Sequence, residues 1–90
     1  MSYDPSLSRL AEQRLRAQSE PLRSFIVASL ERLAQSPASL SQPAKTLSHG
    51  QIAEFKFEQL GVSIWVTIRF LYGQDEQTLH IEDIAIEFGA

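Results

Sequence analysis

The stretch Gly61-Val62-Ser63-Ile64-Trp65-Val66-Thr67-Ile68-Arg69-Phe70-Leu71-Tyr72 decides how this chain folds. Val62, Ile64, Val66, Ile68, Phe70 and Tyr72 fall on every second residue, which in an extended chain puts all six on one face. Ser63, Trp65, Thr67, Arg69 and Leu71 take the other face. β-Branched and aromatic types dominate, and alternation this strict marks a half-buried strand. It is the central strand.

Working outward, Gln59-Leu60-Gly61 reads as a tight turn in which glycine supplies left-handed backbone. Before it, Ala53, Phe55 and Phe57 alternate with Glu54, Lys56 and Glu58. After the central strand, Gly73-Gln74-Asp75-Glu76 is a second turn. The last strand then changes phase: Leu79 and Ile81 are odd-numbered, whereas Ile84, Ile86 and Phe88 are even. Keeping all five on the core side needs one extra residue near Glu82-Asp83, a β-bulge. Residues 51–88 are therefore expected to form a three-stranded antiparallel meander.

The first half reads as helical. Asp4-Pro5 is expected to open the first helix, with aspartate as cap and proline at the first position. Leu7, Leu10, Ala11, Leu15 and Ala17 follow rough three-four spacing until Ser19-Glu20-Pro21 breaks the chain. Leu22, Phe25, Ile26, Ser29, Leu30 and Leu33 then form one stripe of a second helix, which Ser36-Pro37 ends. The arginines between the stripes read as a solvated face. Residues 4–35 thus form a helical hairpin that covers one face of the sheet. Residues 36–50, with two prolines and four serines, read as an extended loop pinned by Leu40 and Leu47. The expected class is α+β, as a single domain over residues 1–90.

Composition narrows the function. Ninety residues at 43% hydrophobic suit one small core, and the lack of cysteine removes disulfides, thiolate metal sites and a cysteine nucleophile. No apolar run approaches the roughly 20 residues of a membrane span, and the polar N-terminus is not a signal peptide, so a cytoplasmic protein is expected. The net charge of −3 is uneven. Residues 1–45 hold six basic and four acidic groups, residues 46–90 two basic and seven acidic. A nucleic-acid surface normally has the opposite sign, because phosphate neutralisation supplies most non-specific affinity. No glycine-rich phosphate loop, nucleophile elbow or zinc-helix motif is present, so no cofactor or metal is expected.

The sheet face left open by the helices holds the candidate site. Turns centred on Leu60-Gly61 and on 73–76 pair Lys56 with Trp65, Glu54 with Thr67, Arg69 with His80, and Glu82 with Thr67. Lys56, Arg69, His80 and Glu82 together suit acid–base work or phosphate binding. Alternating charge on an open sheet face also serves solubility alone, and His49 reads as plain surface. Trp65, a large apolar ring on the polar side, seeds with Leu71 and Leu60 an exposed patch suited to a partner.

Two N-terminal helices, a proline-containing link, and then Gly50-Gln51-Ile52-Ala53-Glu54-Phe55-Lys56-Phe57 with a meander resemble the RelE/ParE toxin superfamily. Ala53 to Lys56, Val66 to Leu71 and Leu79 to Ile86 look like its three later strands, and the resemblance covers about residues 7–88. It implies one of two target activities, cleavage of messenger RNA on the ribosome or inhibition of DNA gyrase, with a cognate antitoxin as partner. In RNA-cleaving relatives the open face carries several basic residues and a C-terminal Tyr or His; only Lys56 and Arg69 match, with His80 as a substitute. Where the family places arginine after an aromatic, this chain has Val66, and Ile86-Glu87-Phe88-Gly89-Ala90 holds no basic residue. Two functions are therefore weighed. One is an interaction module that binds an antitoxin or a second copy of itself through Trp65, with little or no catalysis. The other is an endoribonuclease in which Lys56 and Arg69 stabilise phosphate charge and His80 or Glu82 moves the proton.

Overall fold

The computed structural model describes residues 2–44 and 50–89. In chain order the elements are β1 (Asp4–Leu7), α1 (Arg9–Arg16), α2 (Leu22–Gln35), α3 (Pro37–Leu40), β2 (Ser41–Pro43), β3 (Gln51–Gln59), β4 (Val62–Tyr72) and β5 (Thr78–Gly89). They build one sheet in the order β1-β5-β4-β3-β2. β1 runs parallel to β5, and the other neighbours are antiparallel. The α+β class is as expected, but the sheet has five strands where the sequence pattern suggested three.

Both extra strands are short edge additions whose sequences carry no alternation. Asp4-Pro5, expected to open the first helix, lies in β1 instead, where proline is tolerated because an edge strand can leave that position unpaired. Ser8 is the true cap of α1: its Oγ accepts the Ala11 N–H at 3.0 Å. The expected 36–50 loop contains α3 and β2, and β2 pairs Ser41 with Ala53. Leu40 packs on the core as expected, whereas Leu47 and His49 lie outside the described residues.

The core lies on the face that the alternation marked out. Val66, Ile68, Phe70, Leu79 and Ile84 are fully buried, together with Phe55, Ile64 and Ile81. Ile26, Leu30 and Leu33 of α2 and Ala11 of α1 join the same cluster. α2 behaves as its stripe predicts, and Phe25 leans on Phe57 with ring centroids 4.8 Å apart. α1 buries only Ala11, leaving Leu10 exposed, because it lies beside β5 rather than over the sheet centre. Phe88, assigned to the core by phase, is 69% exposed near the end of β5, where β1, paired only with Thr78 to Ile81, no longer flanks the strand.

The two hairpin turns set the register. Leu60 and Gly61 both have positive φ (51° and 79°), and Gln59 pairs with Val62 across them. That is a two-residue turn whose twist matches its strands. The second turn is longer than the sequence suggested. Gly73 N–H donates to the Thr78 carbonyl at 2.7 Å, Glu76 takes a φ of 59°, and Tyr72 pairs with Leu79. Asp75 holds this loop, its carboxylate accepting the Gln77 and Thr78 N–H groups and the Thr78 hydroxyl.

Candidate functional site

The open face is built from the odd residues of β4 and the even residues of β3, completed by β5. Lys56 faces Trp65 and Glu54 faces Thr67, as the sequence predicts. The pairs to β5 differ. Arg69 faces Asp83 rather than His80, and Thr67 faces Ala85 rather than Glu82. The longer turn slides β5 by two residues, so His80 stands opposite Leu71.

The bulge then adds one more step. Phe70 pairs with Ile81 and Arg69 with Asp83, leaving Glu82 as the extra residue in β5. Its carbonyl is not orphaned, because the Ser8 hydroxyl donates to it at 2.8 Å. The inserted residue has a second effect. Continuing the phase of Leu79 and Ile81 would put residue 83 in the core; the bulge turns Asp83 to the open face and seats Ile84 against Ile68.

Among the described residues, both cations on this face, Lys56 and Arg69, already have an internal counter-ion. Lys56 Nζ lies 3.0 Å from Glu58 Oε1 and 5.7 Å from the centre of the Trp65 ring. Arg69 shares Asp83 with Arg14, which reaches in from α1 to 3.3 Å. Among the described residues on or beside the face, Glu54, Glu58, Glu82, Asp83 and Glu87 outnumber Lys56, Arg69 and Arg14 by five to three.

The proposed acid–base set is also spread out. Lys56 stands level with Trp65, Arg69 is four residues further along β4, and His80 lies level with Leu71. At about 3.3 Å per residue, Lys56 and His80 are separated by roughly 20 Å along the strands. A general base must come within hydrogen-bond reach of the proton it takes, and no single reacting atom meets all four groups. The same spacing separates Leu71 from Trp65, so the two do not form one patch. Among the described residues, no group of three or more His, Cys, Asp or Glu is placed to hold a metal ion.

Trp65 is the distinctive feature that remains. It is 38% exposed, and with Glu54, Thr67, Ala85 and Glu87 it lines a shallow depression of about 390 Å³. The depression pairs an indole wall with two carboxylates, a setting for an apolar or cationic side chain from outside. Sequence reasoning missed Asp83, Glu87 and Arg14. Asp83 and Glu87 were hidden by the register, and Arg14 looked like any solvated helix arginine.

Comparisons with known proteins agree on the architecture. No protein-family model matches the sequence, and no curated protein sequence is significantly similar to it. Among solved structures, the chain is similar to one in the RelBE2 toxin–antitoxin complex of Mycobacterium tuberculosis, at 12% identity, with 97% of this chain and all of that one covered and a TM-score of 0.70. It is similar to a chain of the intact E. coli RelBE toxin–antitoxin complex at 10% identity, covering 93% and 95% with a TM-score of 0.66. A double-arginine mutant of the E. coli toxin RelE in the free state matches at 10% identity, covering 94% and 83% with a TM-score of 0.65. The chain has the RelE-like toxin fold.

Proposed function

We propose that this protein is a divergent member of the RelE/ParE toxin superfamily that acts mainly as a protein-docking module, with little or no catalysis. A cognate antitoxin or a second copy of the chain is the partner, and the cytoplasm is its place. Two of the similar structures are toxin–antitoxin complexes, which supports an antitoxin as the first choice.

One observation carries the reading. Trp65 stands exposed on a face whose cations are already paired, beside Glu54 and Glu87 rather than beside basic residues. An indole desolvated at the centre of an interface contributes about 2 kcal/mol or more. The flanking carboxylates favour a partner segment that brings apolar and basic side chains. RNA, by contrast, meets a face with net negative charge.

The competing reading is a ribosome-dependent endoribonuclease in which Arg69 is the main fixed cation. Trp65→Ala and Arg69→Ala separate the two. For a docking module, Trp65→Ala abolishes self-association or antitoxin capture, read by light scattering, while the melting temperature holds. For a nuclease, Arg69→Ala relieves expression toxicity and Trp65→Ala is mild; that result overturns the proposal.

A further inference from the structure

The bulge in β5 places a carboxylate where three donors converge. Asp83 Oδ1 accepts the Ile84 N–H at 2.8 Å and lies 3.3 Å from Arg14 Nε. Asp83 Oδ2 lies 3.8 Å from a terminal nitrogen of Arg69. Two guanidinium groups and a backbone N–H form a donor set that also suits a phosphate group. Asp83 is half-buried, so the pair is less screened than one free in water.

The fit of the carboxylate is incomplete. Arg69 Nε is buried without a hydrogen-bond partner. A carboxylate brings two oxygens to this cluster; a phosphate brings more and would satisfy donors that Asp83 leaves over. We propose that Asp83 is an internal counter-anion that fills a phosphate-sized site between Arg14, Arg69 and the Ile84 N–H, and thereby keeps phosphate-bearing polymers off the face. The inference rests on the docking reading and names what sets the face's preference for protein. The fold delivers the plug through the bulge, since in an unbulged strand residue 83 would share the phase of Ile81 and point into the core.

The test removes the plug. Asp83→Ala vacates the site, and Asp83→Asn removes the charge while keeping an acceptor for the Ile84 N–H. The probe is a labelled single-stranded RNA followed by anisotropy, with inorganic phosphate as competitor. Both variants should bind roughly tenfold tighter than wild type, the alanine variant most, as expected for an added charge-assisted contact. The salt slope should steepen by about 0.7 for the one phosphate gained. Glu31→Gln, the same charge change on an exposed stretch of α2, should leave binding unchanged. Adding Arg69→Ala to Asp83→Ala should restore wild-type weakness. Inorganic phosphate should displace the RNA from Asp83→Ala; RNA binding without that displacement overturns a single-phosphate site. If Asp83→Ala fails to fold, Asp83→Asn decides. Folded variants that bind the RNA as weakly as wild type overturn the inference and leave the docking reading standing. Tight RNA binding by wild type itself, at micromolar protein or below, overturns both.

Discussion

The two faces of β4 alternate residue by residue yet obey different rules. On one side Ile64, Val66, Ile68 and Phe70 are at most 5% exposed, and any apolar side chain of suitable size satisfies the position. On the other, Trp65, Thr67 and Arg69 stay partly exposed, and what each one does depends on the residue opposite. Burial is non-directional and roughly proportional to area, so the core face tolerates a slip of two residues, which keeps every side chain on its own face. Charge pairing acts over a few ångströms, so a slip of two residues rewrites the open face.

The largest expected effect sharpens that contrast. Ile68→Ala should cost roughly 2–5 kcal/mol of stability, because it removes a fully buried side chain from the sheet centre. The same substitution next door, at the half-exposed Arg69, should change the melting temperature far less. Equal losses at the two sites, measured by denaturant unfolding, would break the distinction between faces. Next comes Trp65→Ala, which should weaken partner binding by about 2 kcal/mol and leave unfolding nearly unchanged.

Ser8→Ala follows, at about 1 kcal/mol for the lost cap of α1. It also takes the hydroxyl from the Glu82 carbonyl, so amide exchange should quicken both in α1 and around the bulge. Exchange confined to α1 would show that the bulge holds itself.

The smallest effect is a pH dependence at the second turn. Backbone donation from Gln77, followed by the Thr78 hydroxyl, holds the Asp75 carboxyl below its ordinary value. A lowered folded value means that the contribution is complete above the unfolded value of about 3.9 and is lost as pH falls through the folded one. Protection of the Gln77 and Thr78 amides should therefore fade on strong acidification, before the β3–β4 hairpin loosens. Simultaneous loss in both hairpins would show that Asp75 has no local role.

What was legible follows the same division. The central strand, the α2 stripe, the Leu60-Gly61 turn and the need for a bulge near Glu82-Asp83 all came from periodicity, and the structure has each of them. β1 and β2 stayed hidden because three or four residues cannot show a period, and because Pro5 reads as the first position of a helix and Pro43 as part of a loop. The Arg69–Asp83 pairing stayed hidden for another reason. It depends on how many residues the second turn consumes, and that number is set by Asp75 accepting from Gln77 and Thr78 and by Glu76 adopting positive φ. Neither residue type announces the turn length, so His80 and Glu82 were placed beside the wrong partners.

The central claim is that the open face docks protein and does not cut RNA. The measurement that tests it most directly is cleavage of messenger RNA on programmed ribosomes by the purified, unmutated protein at micromolar concentration. With Lys56 and Arg69 paired internally and His80 remote from Lys56, the predicted result is no cleavage above background. Cleavage that disappears with Arg69→Ala and survives Trp65→Ala would contradict the account.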